Sequence, residues 1–249
     1  MKPLALVILA ACALLMLKAA ADLPDWGDPS SPASTHLSPE FIQRAYEDTH
    51  TPNVVTAVLA DYRGYDTMFE TVVVFLAALI IMLILRRTPR KREKVIRRRP
   101  QRDGRDLILR GAARMIVPVM QIFALYVLGH GHYSPGGGFQ GGVIFGASFI
   151  LLALSFNFQY TLQRFREQVV VLCCAGGALL YAGIGALCLA RGWNFLGYSA
   201  LAALLGVEES MARSHGILAV EVGVGITVMA VMVSLYYDLA SGGDLDEGL

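Results

Sequence analysis

Charge is scarce in this sequence. Asp, Glu, Lys and Arg make up 16% of its 249 residues, where a soluble domain carries about a quarter. That shortage argues against an ordinary water-soluble enzyme. The charges that are present nearly cancel, 21 Lys and Arg against 20 Asp and Glu leaving a formal +1, which removes the general electrostatic case for binding nucleic acid. Cysteine is scarce too. Cys12, Cys173, Cys174 and Cys188 all lie in apolar runs, with no CxxC pair and no histidine at ligand spacing. A disulfide framework, a zinc site or an iron–sulfur cluster each needs another pattern. The four read as small apolar packing residues, and no cofactor or metal is expected in this chain. Any redox centre belongs to another polypeptide. A nucleophile constellation and a cofactor motif are likewise missing, so no chemical reaction is expected to reside here. No internal repeat at transporter scale is visible, which withdraws support from a self-contained carrier.

Long hydrophobic runs, by contrast, are plentiful. A hydrocarbon core about 30 Å thick takes about 20 apolar residues of helix, and six segments qualify: 3–21, 68–85, 107–129, 140–158, 169–190 and 216–237. The expected fold is therefore all-α, a polytopic membrane protein of six transmembrane helices. The first run resembles a secretory signal, and Leu9-Ala10-Ala11-Cys12 resembles a lipoprotein cleavage site. Its apolar character continues past Cys12 to Leu17, which favours a retained membrane helix with Lys18 snorkelling to the interface. A shorter apolar stretch, 53–60, follows Pro52 and reads as a short helix at the interface or tucked into the protein.

The charge is segregated between these runs. Twelve of the 21 basic residues fall between Arg86 and Arg110, and such a block in a short loop is cytoplasmic by the positive-inside rule. Counting outward places both termini in the cytoplasm. It also places the 22–67 loop outside, where eight acids face only Arg44 and Arg63. A secondary role for the basic block in binding anionic lipid headgroups fits the same placement. The expected organisation is a two-span unit at 1–86, a basic linker at 87–106, a four-span unit at 107–240 and an acidic tail at 241–249.

The most unusual local feature is Gly131-His132-Tyr133-Ser134-Pro135-Gly136-Gly137-Gly138-Phe139-Gln140-Gly141-Gly142. No Gly-Lys-Ser/Thr follows the glycines, so a phosphate cradle is a poor reading. Ser134-Pro135 reads as a helix start, with a cap oxygen and a pre-set φ. Gly138, Gly142 and Gly146 recur every four residues, as do Ala178, Ala182 and Ala186, an arrangement for close helix contact in lipid. His130, His132 and His215 fall on one side of the expected topology, as proton carriers, loop-ordering groups or, in a metalloenzyme reading, ligands. No carboxylate adjacent in sequence supports the metal.

The 131–142 motif closely resembles the signature of the MnhB family, one of the small subunits of Mrp-type multisubunit Na⁺/H⁺ antiporters. So does Glu221-Val222-Gly223-Val224-Gly225-Ile226-Thr227-Val228-Met229. A second element is Pro52-Asn53-Val54-Val55-Thr56-Ala57-Val58-Leu59-Ala60-Asp61-Tyr62-Arg63-Gly64-Tyr65-Asp66-Thr67. It resembles the C-terminal extension of the large Mrp subunit, which forms a small separate subunit in membrane-bound hydrogenases. The resemblance implies a membrane component, in the cytoplasmic membrane of a prokaryote, that works with a large antiporter-like subunit and other small ones. It implies Na⁺ and H⁺ as the transported ions. Both elements share one chain that lacks the antiporter portion of the large subunit. A hydrogenase-like complex with redox partner subunits is therefore preferred to a stand-alone Mrp antiporter. A free-standing transporter or channel is the further alternative. The ion-path candidates are Glu221, inside the last run, and Glu70, just inside the second, since acids within membrane spans mark ion paths. Asp61, Arg63 and Asp66 are close enough for a local ion pair and are candidates for docking or ion entry. Gln121, in mid-span, needs an internal partner.

Overall fold

A computed structural model of the chain describes residues 2–87, 105–156 and 158–241. Most of the expected basic linker, and all but the first residue of the acidic tail, lie outside the described residues. Among the described residues every regular element is a helix: α1 (Lys2–Ala21), α2 (Ser38–Thr49), α3 (Val54–Ala57), α4 (Gly64–Arg87), α5 (Arg105–Gly129), α6 (Gly138–Phe156), α7 (Phe158–Arg164), α8 (Glu167–Ala190), α9 (Ala202–Leu205) and α10 (Glu209–Ser241). Six of them, α1, α4, α5, α6, α8 and α10, are long and apolar enough to cross a membrane. The last is longer than its apolar core at 216–237, because Glu209, Met211, Ala212 and Arg213 are good helix formers that extend it toward its N-terminus.

The chain divides into two compact units, Met1–Arg44 and Ala45–Leu249. In the first, α1 is apolar around its circumference apart from Lys2 and Lys18, and it exposes every side chain from Pro3 to Ala21. That is the pattern of a helix made for lipid. Residues Ala33–Leu37 form one wide turn before α2. Glu40 and Arg44, one turn apart at 2.7 Å and exposed, support α2 by no more than about 0.5 kcal/mol.

In the second unit α10 is the central helix, and α4, α6 and α8 pack around it, with α5 behind α6. Helices in lipid gain little from the hydrophobic effect and depend on close packing, so small residues choose the contacts. Gly138, Gly142 and Gly146 lie against the α10 carbonyl oxygens of Glu221, Gly225 and Met229, so the predicted glycine face is buried. The alanine face predicted for α8 is not the packed one. Ala178 and Ala182 are half-buried and Ala186 is exposed, while Gly177, Tyr181 and Gly185 form the buried line. The reason is Tyr181, whose hydroxyl must find an acceptor inside a bilayer-spanning bundle. It turns inward and donates to the Gly64 carbonyl at 2.8 Å. Tyr198 and Tyr237 are buried in the same way and donate to the Ala60 and Phe165 carbonyls. Gln121 finds its internal partner in Ser148 Oγ, at 3.3 Å.

Residues 53–62 do not lie free. The short helix α3 continues into a wide turn, Val58–Tyr62, and buries Thr56, Ala57 and Ala60. Tyr198 and Tyr181 hold this segment and the start of α4 against α8 and α10 through the carbonyls of Ala60 and Gly64.

Candidate functional site

The site is assembled where residues 53–56 meet the loop between α5 and α6. Asn53 caps α3, its Oδ1 accepting from Val55 N–H at 3.1 Å. Its Nδ2 donates to the carbonyls of Gly131 and Ser134, both at 2.9 Å. Its own backbone N–H donates to His132 O at 2.8 Å. Thr56 Oγ1 adds a bond to Gly131 O at 2.7 Å. Three loop carbonyls that no helix could satisfy are thus paired by one short segment, as buried backbone groups require. Asn before an apolar run is a capping signal, but nothing local in the sequence announces its second use, on a loop 78 residues away.

The loop differs from the expectation of a helix starting at Ser134-Pro135. The helix begins at Gly138, and Ser134 Oγ donates to His130 O at 3.2 Å. Residues 136–137 are needed to turn the chain. Gly137 has a φ of +123° and donates its N–H to Val127 O at 3.2 Å, a conformation that favours glycine. Pro135, just before this turn, is exposed. Beneath the loop lies Glu221. A Cβ on Gly137 would sit 2.7 Å from Glu221 Oε1, and one on Gly131 would sit 2.9 Å from Oε2. The glycines of the motif are therefore the roof of a carboxylate.

Glu221 is 9% exposed, and its Oε2 has no hydrogen-bond partner among the described residues. It lines a cavity of about 480 Å³ whose wall also carries Glu70, Thr56, Thr67, Thr71 and Gln140. Glu70 is exposed. The two acids singled out in the sequence thus meet in one cavity.

The Asp61–Arg63–Asp66 group divides. Arg63 Nε donates to Asp66 at 2.6 Å on the exposed side, as the spacing suggested. Asp61 instead receives two hydrogen bonds from Arg213 of α10, at 2.8 and 3.1 Å. Arg213 also lies 3.9 Å from Asp48 and over the Tyr62 ring, whose hydroxyl donates to Asp48. Burial pushes the Asp61 carboxyl above the ordinary aspartate value even with the guanidinium beside it. Burial, reinforced by the Asp48 carboxylate, pushes Tyr62 up to about 12. Arg213 could not be singled out from sequence because its partner lies 152 residues away. Removing one partner of a buried pair leaves an uncompensated charge, so Arg213→Ala is expected to cost about 3 kcal/mol. Asp61→Asn should cost less, because Arg213 keeps Asp48 and the Tyr62 face. Thermal unfolding of the purified protein in detergent checks the order.

The histidines do not converge. His132 is buried, with Nε2 3.0 Å from Ser214 O, which pins the loop to α10. His130 is exposed and stacks on Tyr126 at 4.3 Å, and His215 is exposed. Among the described residues no three His, Cys, Asp or Glu side chains gather as a metal site would need. Asp238, which no sequence signal singled out, is fully buried in the last turns of α10.

Six apolar helices, with an acidic cavity inside the second unit, define a polytopic membrane protein with an internal polar site. Residues 108–234 match the family described as a domain related to the MnhB subunit of Na⁺/H⁺ antiporters, and the chain belongs to that family. Residues 6–102 match a second family, MbhE, described as a subunit of MBH. A putative antiporter subunit named mnhB2 in Staphylococcus aureus is 31% identical over 137 residues, covering 55% of this chain and 96% of the relative. Among solved structures, a chain of the membrane-bound sulfane sulfur reductase, an archaeal respiratory membrane complex, has the same fold. Its TM-score is 0.60 at 23% identity, over 94% of this chain and 95% of that one. A chain of the Mrp complex from Dietzia sp. DQ12-45-1b matches with a TM-score of 0.58 and 25% identity, over 94% of this chain and 26% of the other.

Proposed function

We propose that the chain is a non-catalytic component of a multisubunit Mrp-type cation/proton antiporter module, working in a hydrogenase-like respiratory complex of a prokaryotic cytoplasmic membrane. Both termini face the cytoplasm in this reading. A separate large antiporter-like polypeptide supplies the main transport helices, redox subunits carry whatever cofactors the complex uses, and this chain carries none. Its own work is to pack the small subunits together and to contribute the Glu221 and Glu70 carboxylates to the path taken by Na⁺ or H⁺.

The observation that carries the reading is the joint between the two family elements. Residues 53–56, from the MbhE-like part, hold the glycine loop of the MnhB-like part, and an acidic cavity lies at that joint. The preference for a respiratory complex is supported by end-to-end likeness of fold to the sulfane sulfur reductase chain. In the Mrp complex the matching region is a quarter of a longer chain. Purification in mild detergent with identification of the co-purifying chains is the test. A large antiporter-like subunit together with iron–sulfur or nickel–iron subunits is the expected result. Antiporter subunits alone would shift the assignment to a stand-alone antiporter, and cation flux through vesicles containing this chain alone would overturn it.

A further inference from the structure

Where the start of α5 meets the end of α6 and α7, the surface is cationic and aromatic, and an ion path makes no use of it. Arg110 and Arg114 are one turn apart and share a face of α5. Both fall inside the apolar run that begins at Leu107, Arg114 about 10 Å along it at 1.5 Å per residue. Arg110 Nε donates to Ser155 O, in the last turn of α6, at 3.3 Å. The Arg114 guanidinium lies 5.4 Å from the centre of the Phe156 ring. Phe156 stacks on Tyr160 at 5.2 Å, and the Arg164 guanidinium lies 5.3 Å from the centre of the Tyr160 ring. Two arginines thus bracket a Phe–Tyr stack, with a third one turn from the first. The rings and the carbonyl hold these side chains in place but bring no carboxylate to balance them. Among the described residues none of the three is ion-paired with Asp or Glu.

An arginine in a membrane span is costly and ordinarily faces the bundle interior or pairs with an acid. Arg114 does neither. It is exposed, on a helix that packs chiefly against α6, so its counter-charge comes from outside the chain. We propose that Arg110, Arg114 and Arg164 form a binding site for the phosphate of an anionic phospholipid, at the bilayer surface where the basic block joins α5. The planar fork of a guanidinium matches a pair of phosphate oxygens, and basic pockets between spans take lipid headgroups. The surface beyond the arginines is apolar. Pro118 and Ile122 continue the line of Arg114 at four-residue spacing, and both are exposed. They give an acyl chain a track from the headgroup toward the middle of the span. A soluble phosphate would gain nothing from that track, which selects the lipid as the occupant.

The site does not depend on the ion path, and its test reads lipid binding alone. The full-length chain, with its co-purifying subunits, is titrated in mild detergent with dioleoylphosphatidylglycerol or dioleoylphosphatidylcholine. Native mass spectrometry counts the lipid retained. Phosphatidylglycerol is expected to bind about tenfold more tightly, the worth of one charge-assisted hydrogen bond. Arg110→Gln with Arg114→Gln should remove most of that preference, and Arg164→Gln a smaller part. Arg114→Lys keeps the charge without the fork and serves where the double variant fails to fold. It is expected to weaken phosphatidylglycerol binding and leave phosphatidylcholine binding unchanged. Arg97→Gln, Arg98→Gln and Arg99→Gln together, in the basic block, are the control and should keep the preference. Millimolar inorganic phosphate should not displace the lipid. No preference in the unaltered protein, a preference that survives both the double variant and Arg114→Lys, loss confined to the basic-block control, or displacement by inorganic phosphate would each overturn the site.

Discussion

Glu221→Gln is expected to reduce Na⁺-driven proton movement to the level of vesicles lacking the complex, while the complex still assembles. The two halves of that result have different causes. Glutamine has nearly the shape of glutamate, so the close contacts of the side chain with Gly131 and Gly137 survive the change. A neutral amide also costs less to bury than an unpaired carboxylate, and folding has no reason to suffer. What disappears is the buried carboxylate, the one among the described residues lining the cavity, on which the proposed ion path depends. Glu70→Gln should do less, because Glu70 is exposed and water can stand in for its carboxylate. A pH-sensitive dye trapped in vesicles, with a Na⁺ gradient imposed, reads transport, and size-exclusion chromatography reads assembly. Full transport by an assembled Glu221→Gln complex would leave this residue a structural role only.

How much of this was legible in the sequence depends on the range of the interaction. The six spans could be read from runs of apolar residues because each is a local property of about 20 residues. The glycine face of α6 was legible because its period is that of the helix. The packed face of α8 was not, since that helix is apolar all round and periodicity cannot choose among its faces. There the choice fell to Tyr181, whose hydroxyl reaches a carbonyl 117 residues away. The helix start at Ser134-Pro135 failed for a related reason. A local capping signal was overridden by Gly136 and Gly137, which turn over Val127 and Glu221, a contact between segments distant in sequence. Glu221 and Glu70 could be picked out because charge in a membrane span is conspicuous anywhere. Their meeting in one cavity, and the grip of Asn53 and Thr56 on the loop, depend on pairings of far-apart segments that a single sequence does not display.

The glycine face leads to the largest expected effect on stability. A Cβ at Gly138 would collide with the carbonyl oxygen of Glu221, one at Gly142 would lie 2.6 Å from that of Gly225, and one at Gly146 would lie 3.2 Å from that of Met229. All three obstacles are backbone atoms of α10, which cannot rotate aside as a side chain does. Inserted methyl groups in a packed interior cost about 1–3 kcal/mol and sometimes more, and alanine regains about 1 kcal/mol of helix propensity over glycine. Gly138→Ala is therefore expected to exceed about 3 kcal/mol and to abolish accumulation of folded protein. Gly142→Ala should be intermediate, and Gly146→Ala close to neutral once the propensity gain is set against a contact that yields by a few tenths of an ångström. Gly183 supplies the control, since a Cβ there meets nothing within 4 Å and alanine should hold or raise the unfolding temperature. Yield of monodisperse protein and thermal unfolding in detergent give the ranking. Equal tolerance at all three positions would mean that α6 and α10 do not approach backbone to backbone. The roof over Glu221 would then lack its support, because Gly138 is both the first residue of the helix and the point at which the loop is pressed against the carboxylate's own backbone.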